Sequence, residues 1–177
     1  ITGTGATTLT ATAGGLTLNS SLNSTGSASL TAGTGITLAN GVNISSGGIL
    51  SLATTLGDIT AQGAVAVSSE TGISLNNNFT SAGAATFDAD SNDDGTGDFT
   101  VATGKTVSTG NNSLSITGGD IVLTGSLDSG TGTTTLLASN GGTIGLGAGA
   151  GAFSIDDGEL GRITAGNLTV GDNTNGS

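Results

Sequence analysis

The stretch GSASLTAGTGITLANGVNIS, residues 26–45, decides the fold of this chain. Within it, apolar and small polar residues alternate in three short runs, at Leu30, at Ile36–Leu38 and at Val42–Ile44. Alternation with a period of two is the pattern of a β-strand that buries one side. Each run is cut off by Gly or Asn, which is typical of a turn. Three strands and two corners therefore predict one coil of a triangular solenoid with its apolar side inward.

The same pattern recurs along the chain. Leu9 and Leu30 are 21 residues apart, and Leu30 and Leu52 are 22 apart. One coil cannot bury its own apolar side, so neighbouring repeats of the same chain must stack on one another. The sequence thus predicts an all-β fold, a parallel β-helix solenoid of about eight coils of roughly 20 residues each. At the strand spacing of about 4.8 Å, such a rod is on the order of 40 Å long.

Composition supports one solenoid and limits its partners. The 177 residues contain 34 Gly and no Pro, Cys, His, Met, Trp or Tyr. Two basic residues stand against 13 acidic ones, a net charge of −11, which argues against nucleic acid and anionic membranes as partners. We interpret residues 1–177 as a single β-helical repeat segment. We expect it to be a slice of a longer array, because neither end shows a polar helix that would cap an open stack.

An acidic loop insertion at Asp88–Asp98, with the sequence DADSNDDGTGD, interrupts the alternation of apolar and small polar residues. Its second part matches the first half of a calcium loop, D-x-[DN]-x-[DN]-G, in which oxygens at alternate positions converge on one hard cation. The candidate calcium ligands are Asp90, Asn92, Asp94, Thr96 and Asp98. Position twelve of the loop is Val101 where a calcium loop has a bidentate Glu. The alternative interpretation of Asp88–Asp98 is an acidic, solvated corner insertion between two coils that binds no metal.

The chain offers few residues for catalysis, and we expect no enzyme. Without His or Cys, catalytic triads are excluded. A β-helical polysaccharide lyase would need a basic residue, and Lys105 and Arg162 lie 57 residues apart. We expect Arg162 to form a surface salt bridge with Glu159 or its acidic neighbours on a short turn. The four Phe residues are predicted to face the core, so no aromatic platform remains for sugar rings. A threonine face for ice at Thr8–Thr12 does not recur in every coil.

The sequence resembles the repeat regions of filamentous-haemagglutinin-like surface proteins of Gram-negative bacteria. Three parts carry the resemblance: LTAGTGITLANGVNI (30–44), the block from DADSNDDGTGD to LTGSLDSGTG (88–132), and FSIDDGELGRITAGNLTVG (153–171). The resemblance implies a right-handed parallel β-helix that is secreted through a dedicated outer-membrane transporter and displayed on the cell surface as a long fibre. It implies no catalytic residues.

Two functions follow from the residues and from this resemblance. The first is a structural stalk or fibre segment of a secreted bacterial adhesin, which contributes to cell adhesion or biofilm and spaces a part that binds a host-surface or glycan receptor. The alternative is a binding module that holds calcium or a glycan at Asp88–Asp98. A carbohydrate-active β-helix enzyme is a minor third hypothesis.

Overall fold

A computed structural model describes residues 1–171 as an all-β solenoid of short parallel strands. Residues 172–177 of the expected repeat segment lie outside this described part. The strands are, in chain order, β1 (Thr2–Gly3), β2 (Thr7–Ala11), β3 (Gly15–Leu18), β4 (Leu22–Ser24), β5 (Ala28–Ala32), β6 (Gly35–Leu38), β7 (Asn43–Ser46), β8 (Leu50–Thr54), β9 (Ile59–Ala61), β10 (Val65–Ser69), β11 (Ile73–Leu75), β12 (Phe79–Ser81), β13 (Ala85–Asp88), β14 (Phe99–Val101), β15 (Thr106–Ser108), β16 (Leu114–Gly118), β17 (Ile121–Leu123), β18 (Ser126–Asp128), β19 (Thr133–Ala138), β20 (Ile144–Leu146), β21 (Phe153–Ile155), β22 (Ile163–Thr164) and β23 (Asn167–Val170). A 3-10 helix (Ser139–Gly141) and a one-turn helix α1 (Asp157–Leu160) complete the secondary structure of residues 1–171.

From β1 to β16 each strand pairs in parallel with the third strand after it, so the chain winds through three sheets in turn. Sheet A has the order β1-β4-β7-β10-β13-β16-β19-β23, sheet B the order β2-β5-β8-β11-β14-β17, and sheet C the order β3-β6-β9-β12-β15-β18-β22. One turn of the solenoid passes through sheets B, C and A, as in β2–β3–β4. This arrangement confirms the predicted parallel β-helix.

The predicted number of coils was wrong. Six complete turns run from β2 to β19, with partial turns at both ends, where eight coils were expected. The repeat pattern counts strand cores, whereas the corners between strands differ in length and absorb residues without adding a coil. Two segments absorb most of them: the acidic loop before β14 and the excursion at residues 139–162.

The core is a stack of identical inward positions. In sheet B one such column consists of Leu9, Leu30, Leu52, Leu75, Val101 and Leu123, each paired with the next. All four Phe side chains are buried, as predicted. Phe87 packs between Phe79 and Phe99, with ring centroids 5.1 Å apart in both pairs. Because each coil adds the same apolar layer, the core grows along the axis rather than in width.

Buried polar side chains satisfy the backbone where the chain turns a corner. The hydroxyl of Ser69 donates to the carbonyl of Gly48 at 2.7 Å, and that of Ser81 donates to the carbonyl of Gly63 at 2.9 Å. The side chain of Asn77 bonds both the amide and the carbonyl of Thr54, 23 residues earlier. These bonds link successive coils at positions where no ladder partner is available, because a corner carbonyl left unpaired in the interior would be costly.

After β19 the chain leaves the three-sheet path. The glycine-rich run at residues 140–152 carries β20, which pairs in parallel with β21. Phe153 and Ile155 of β21 are buried and cover the last complete coil. The chain then forms α1 and returns through β22 and β23. Within residues 1–171, no helix has the length and hydropathy that a membrane crossing requires.

Candidate functional site

The acidic loop is an expanded corner between sheet A and sheet B. Asp88 is the last residue of β13, so the loop proper comprises residues 89–98, one residue shorter than the predicted insertion. The equivalent corners before β8 and β11 contain three residues each, and the one before β17 contains two. The loop therefore adds about seven residues to an otherwise tight corner. It does so without disturbing the register of β13 or β14 with their neighbours.

Asp90 is the organising residue of the loop, because its carboxylate is fully buried. One carboxylate oxygen accepts a hydrogen bond from the amide of Gly95 at 2.7 Å and another from the hydroxyl of Ser139. The other oxygen accepts from the amide of Asp94 at 3.4 Å. Hydrogen bonds to a charged acceptor are among the stronger ones in proteins. These three donors therefore hold a buried negative charge without a basic side chain.

The loop extends from the coil of β13 over the coil of β16 to the coil of β19. Ser139 follows β19, which is two strands away from β13 in sheet A. The intervening corner comprises residues 119–120, and the amide of Gly119 donates to the carbonyl of Gly97 at 2.7 Å. A Cβ at Gly119 would lie 2.7 Å from the carbonyl oxygen of Gly95, so a side chain there would collide with the loop. The acidic loop is thus a clamp over three successive coils.

The exposed part of the loop is held by its own side chains. Asp94 accepts hydrogen bonds from the amide of Thr96 at 3.0 Å, from the Thr96 hydroxyl and from the side-chain amide of Asn92 at 2.9 Å. The bonds from the Thr96 hydroxyl, and then from Asn92, lower the pKa of Asp94, because they favour the charged form. Gly95, which lies between Asp94 and Thr96, has a φ of +83°. This left-handed conformation, which glycine adopts readily, makes the sharp turn of the loop.

Two other acidic side chains of this region carry a raised pKa. Burial raises the pKa of Asp98, and the negative charge of Asp120 on the next coil raises it further. Burial also raises the pKa of Asp88, to which the charges of Asp93 and Asp90 add, while a hydrogen bond from the Asp90 amide opposes the change. Carboxylates that lie close together repel one another when both are charged, so this region carries electrostatic repulsion at neutral pH.

The structure brings together only part of the predicted calcium set. Asp90, Asn92, Asp94 and Thr96 are linked through hydrogen bonds within the loop. Within residues 1–171 Asp98 is not part of this hydrogen-bonded group, but together with Thr96 it borders a shallow groove of about 210 Å³ beside β11 and β14. Among residues 1–171, no group of three or more acidic side chains lies close enough to share a metal ion. Calcium binding at this loop stays a prediction from the sequence motif.

Some residues that shape the site were not predicted from the sequence. Ser139 is 49 residues from Asp90, and Gly119 stands in an ordinary-looking corner directly after β16. Stacking also creates a column of outward side chains on sheet C that is almost entirely hydroxylic, although no single coil shows it. Its members are Thr17, Thr37, Thr60, Thr80, Ser108, Asp128 and Thr164.

Comparison of the chain with protein-family models, with curated proteins and with solved structures finds no match. The functional argument therefore depends on the solenoid and its acidic loop.

Proposed function

We propose that this chain is a structural stalk segment of a secreted bacterial surface adhesin, a fibre that spaces its ends by stacking coils. The observation that carries the proposal is the unbroken in-register pairing of three parallel sheets through six turns. Every complete turn contributes one strand to each sheet. The buried side chains of residues 1–171 fill the core or satisfy the corners, as Ser69 and Asn77 do.

The surface of the solenoid fits a spacer that stays apart from its neighbours. Thirteen acidic residues against two basic ones give a charge of −11, which disfavours nonspecific association between copies. The outward columns of sheets B and C carry mostly Ser and Thr, such as the column that starts at Thr17. Secretion, the outer-membrane transporter and the contribution to adhesion or biofilm rest on the resemblance to filamentous-haemagglutinin-like repeats.

The acidic loop has a mechanical part in this proposal. It ties the coil of β13 to the coils of β16 and β19 through Asp90 and Gly97. In a stack where each coil otherwise contacts only its neighbours, stability is the sum of the coils and their interfaces. A clamp across three coils makes that part of the rod unfold as one unit.

Changing the number of coils tests the spacer. Residues 28–49 form one complete turn, because Ala28 pairs with Leu50 of the next turn. Inserting four further copies of this turn should lengthen the particle by about 19 Å at about 4.8 Å per coil, as measured by small-angle X-ray scattering. A chain that misfolds, or that keeps its length, contradicts the proposal.

Calorimetric titration with calcium separates the spacer from the binding module. The informative variant replaces Asp94 and Asp98 by Asn, because it keeps Asp90 and hence the fold of the loop. Heat of binding in the wild type that disappears in this variant would favour the calcium-binding alternative. The absence of heat at extracellular calcium concentrations would exclude the calcium form of the alternative and leave the clamp and a glycan site to be compared.

A further inference from the structure

A shallow groove lies at the corner where the chain enters sheet B. The residue directly before the strand is Ile49 at β8, Gly72 at β11 and Asp98 at β14. These residues stack on one another, because the amide that follows Ile49 donates to the carbonyl of Gly72 and the amide that follows Gly72 donates to the carbonyl of Asp98, both at 3.0 Å. The backbones of Ile49 and Asp98 are thus two coils, or about 10 Å, apart.

Gly72 keeps the space between these two side chains open. Its φ of +127° is a conformation that residues with a side chain rarely adopt, and a Cβ there would lie 3.2 Å from the carbonyl oxygen of Asp98. Because the coils before and after it carry Ile49 and Asp98 at the same position, the gap is one coil wide.

The two walls of the groove differ in chemistry. Ile49 forms an aliphatic wall and is 55% exposed, although most large apolar side chains of residues 1–171 are buried. The opposite wall carries the carboxylate of Asp98. Between them lie the hydroxyl groups of Ser74 and Thr100, which are paired neighbours on β11 and β14. Within residues 1–171 these two hydroxyl groups have no hydrogen-bond partner, so they are available to a ligand.

The electrostatics of the groove limit the charge of its ligand. Burial and the charge of Asp120 raise the pKa of Asp98, so the charged form of Asp98 is disfavoured in the free protein. Hydroxyl groups that donate to this carboxylate would favour its charged form. The negative charges of the same two residues disfavour an anionic ligand.

These features fit one ring of a neutral sugar. Such a ring has a face of C–H groups, which packs on an aliphatic side chain, and hydroxyl groups along its edge, which both donate and accept. The groove of about 210 Å³ is smaller than the pockets of about 300–1,000 Å³ that hold drug-sized ligands, so it has room for a single ring. A metal ion would not use Ile49, and among residues 1–171 no three acidic side chains lie close enough to share one.

We propose that this groove binds one neutral sugar residue of a glycan, with the ring against Ile49 and its hydroxyl groups bonded to Asp98 and to the two available hydroxyl groups. The inference rests on the binding-module alternative, to which it gives a place and a ligand class. It does not depend on the spacer, so its failure would leave the length measurement of the spacer unaffected.

The test titrates isotope-labelled protein with the methyl glycosides of glucose, galactose, mannose and N-acetylglucosamine, in the presence of a calcium chelator, and follows the amide signals by NMR spectroscopy. With at least one of these sugars we expect saturable shifts at Gly72, Ser74 and Thr100. Asp98→Asn should weaken the binding of that sugar at least about tenfold, because it removes a charged acceptor. Ile49→Ser should weaken it at least about threefold, because it removes the aliphatic wall.

Glu70→Gln and Leu56→Ser are the matched controls. They make the same kinds of change at exposed corner residues that do not line the groove. Both should bind the sugar within about twofold of the wild-type affinity, as expected for substitutions on the surface. Thr100→Val keeps the side-chain volume and removes one hydroxyl group, so it answers the question if a groove variant does not fold.

Salt separates a neutral sugar from a cationic partner. The affinity for the sugar should be unchanged between about 0.05 M and about 0.5 M salt, whereas an attraction between charges would be screened. The proposal is overturned if none of the four glycosides binds, if the shifts lie outside the groove, or if the groove variants bind as well as the controls. Salt-dependent binding of an oligolysine peptide in place of the sugars would identify a basic partner and would also overturn it.

Discussion

The contact between Ser139 and Asp90 makes a quantitative prediction about the acidic loop. Replacing Ser139 by Ala removes one of the three donors to a buried carboxylate. A hydrogen bond to a charged group contributes about 1.5–3 kcal/mol, and a neutral one about 0.5–1.5 kcal/mol. We therefore expect Ser139→Ala to lower the free energy of unfolding by about 1.5–3 kcal/mol.

Ser46→Ala is the matched control for this measurement. Ser46 ends β7 at the same corner of sheet A, is as deeply buried as Ser139, and donates a single bond to the neutral carbonyl of Gly48. Its loss should cost about 0.5–1.5 kcal/mol. Both values come from urea unfolding followed by far-ultraviolet circular dichroism.

A double-mutant cycle isolates the pair. In the background of Asp90→Asn the acceptor has lost its charge, so the further cost of Ser139→Ala should fall toward that of the control. The reasoning is refuted if Ser139→Ala costs no more than Ser46→Ala, or if its cost is unchanged when Asp90 is replaced.

Three further perturbations test the loop, the charges and the core. Gly119→Ala should destabilise the protein by more than Gly14→Ala, because a Cβ at Gly119 meets the acidic loop whereas a Cβ at Gly14 meets open space; equal melting temperatures would contradict the clamp. Burial and the Asp120 charge raise the pKa of Asp98 in the folded state, so the stability that Asp98 contributes is present below its unfolded pKa of about 3.9 and is lost as the pH rises through the folded value. Asp98→Asn should therefore gain stability relative to wild type on going from about pH 3 to about pH 7, and a pH-independent difference in urea midpoints would refute this. Phe87→Ala should lower the free energy of unfolding by about 3–5 kcal/mol, because it empties a buried site between two rings. Phe87→Leu should lower it by only about 1–2 kcal/mol. Similar costs for both variants in urea unfolding would mean that the core collapses around the vacancy and would contradict a rigidly packed stack.

The fold could be predicted because its signal is local and repeated. The alternation in residues 26–45 gives the strand, its inward face and the corner in one stretch, and neighbouring coils repeat the same information. The number of turns could not be predicted in this way. It depends on how many residues each corner takes up, which is decided by what the corner packs against in other coils.

The candidate site, too, could be predicted only where its signal in the sequence is local. Gly95 and the acidic run mark the loop and its turn, because those residue types have local consequences. The bond from Ser139 to Asp90 joins positions 49 residues apart and has no local signature. The salt bridge expected for Arg162 and Glu159 was wrong. Within the described chain, both side chains bond the peptide of Leu123 in β17.

The direction of the hydrogen bonds has a consequence for a fibre under tension. The strands lie across the solenoid axis, so each turn occupies about 4.8 Å of the axis but contains about 22 residues, or about 75 Å of extended chain. A pull on the two ends peels one turn at a time and lengthens the released part about fifteenfold. Turns joined by the Asp90–Ser139 clamp would be released together, which would give the extension curve one large step among smaller ones. A stalk of this kind would yield in stages under flow and rewind when the flow slackens.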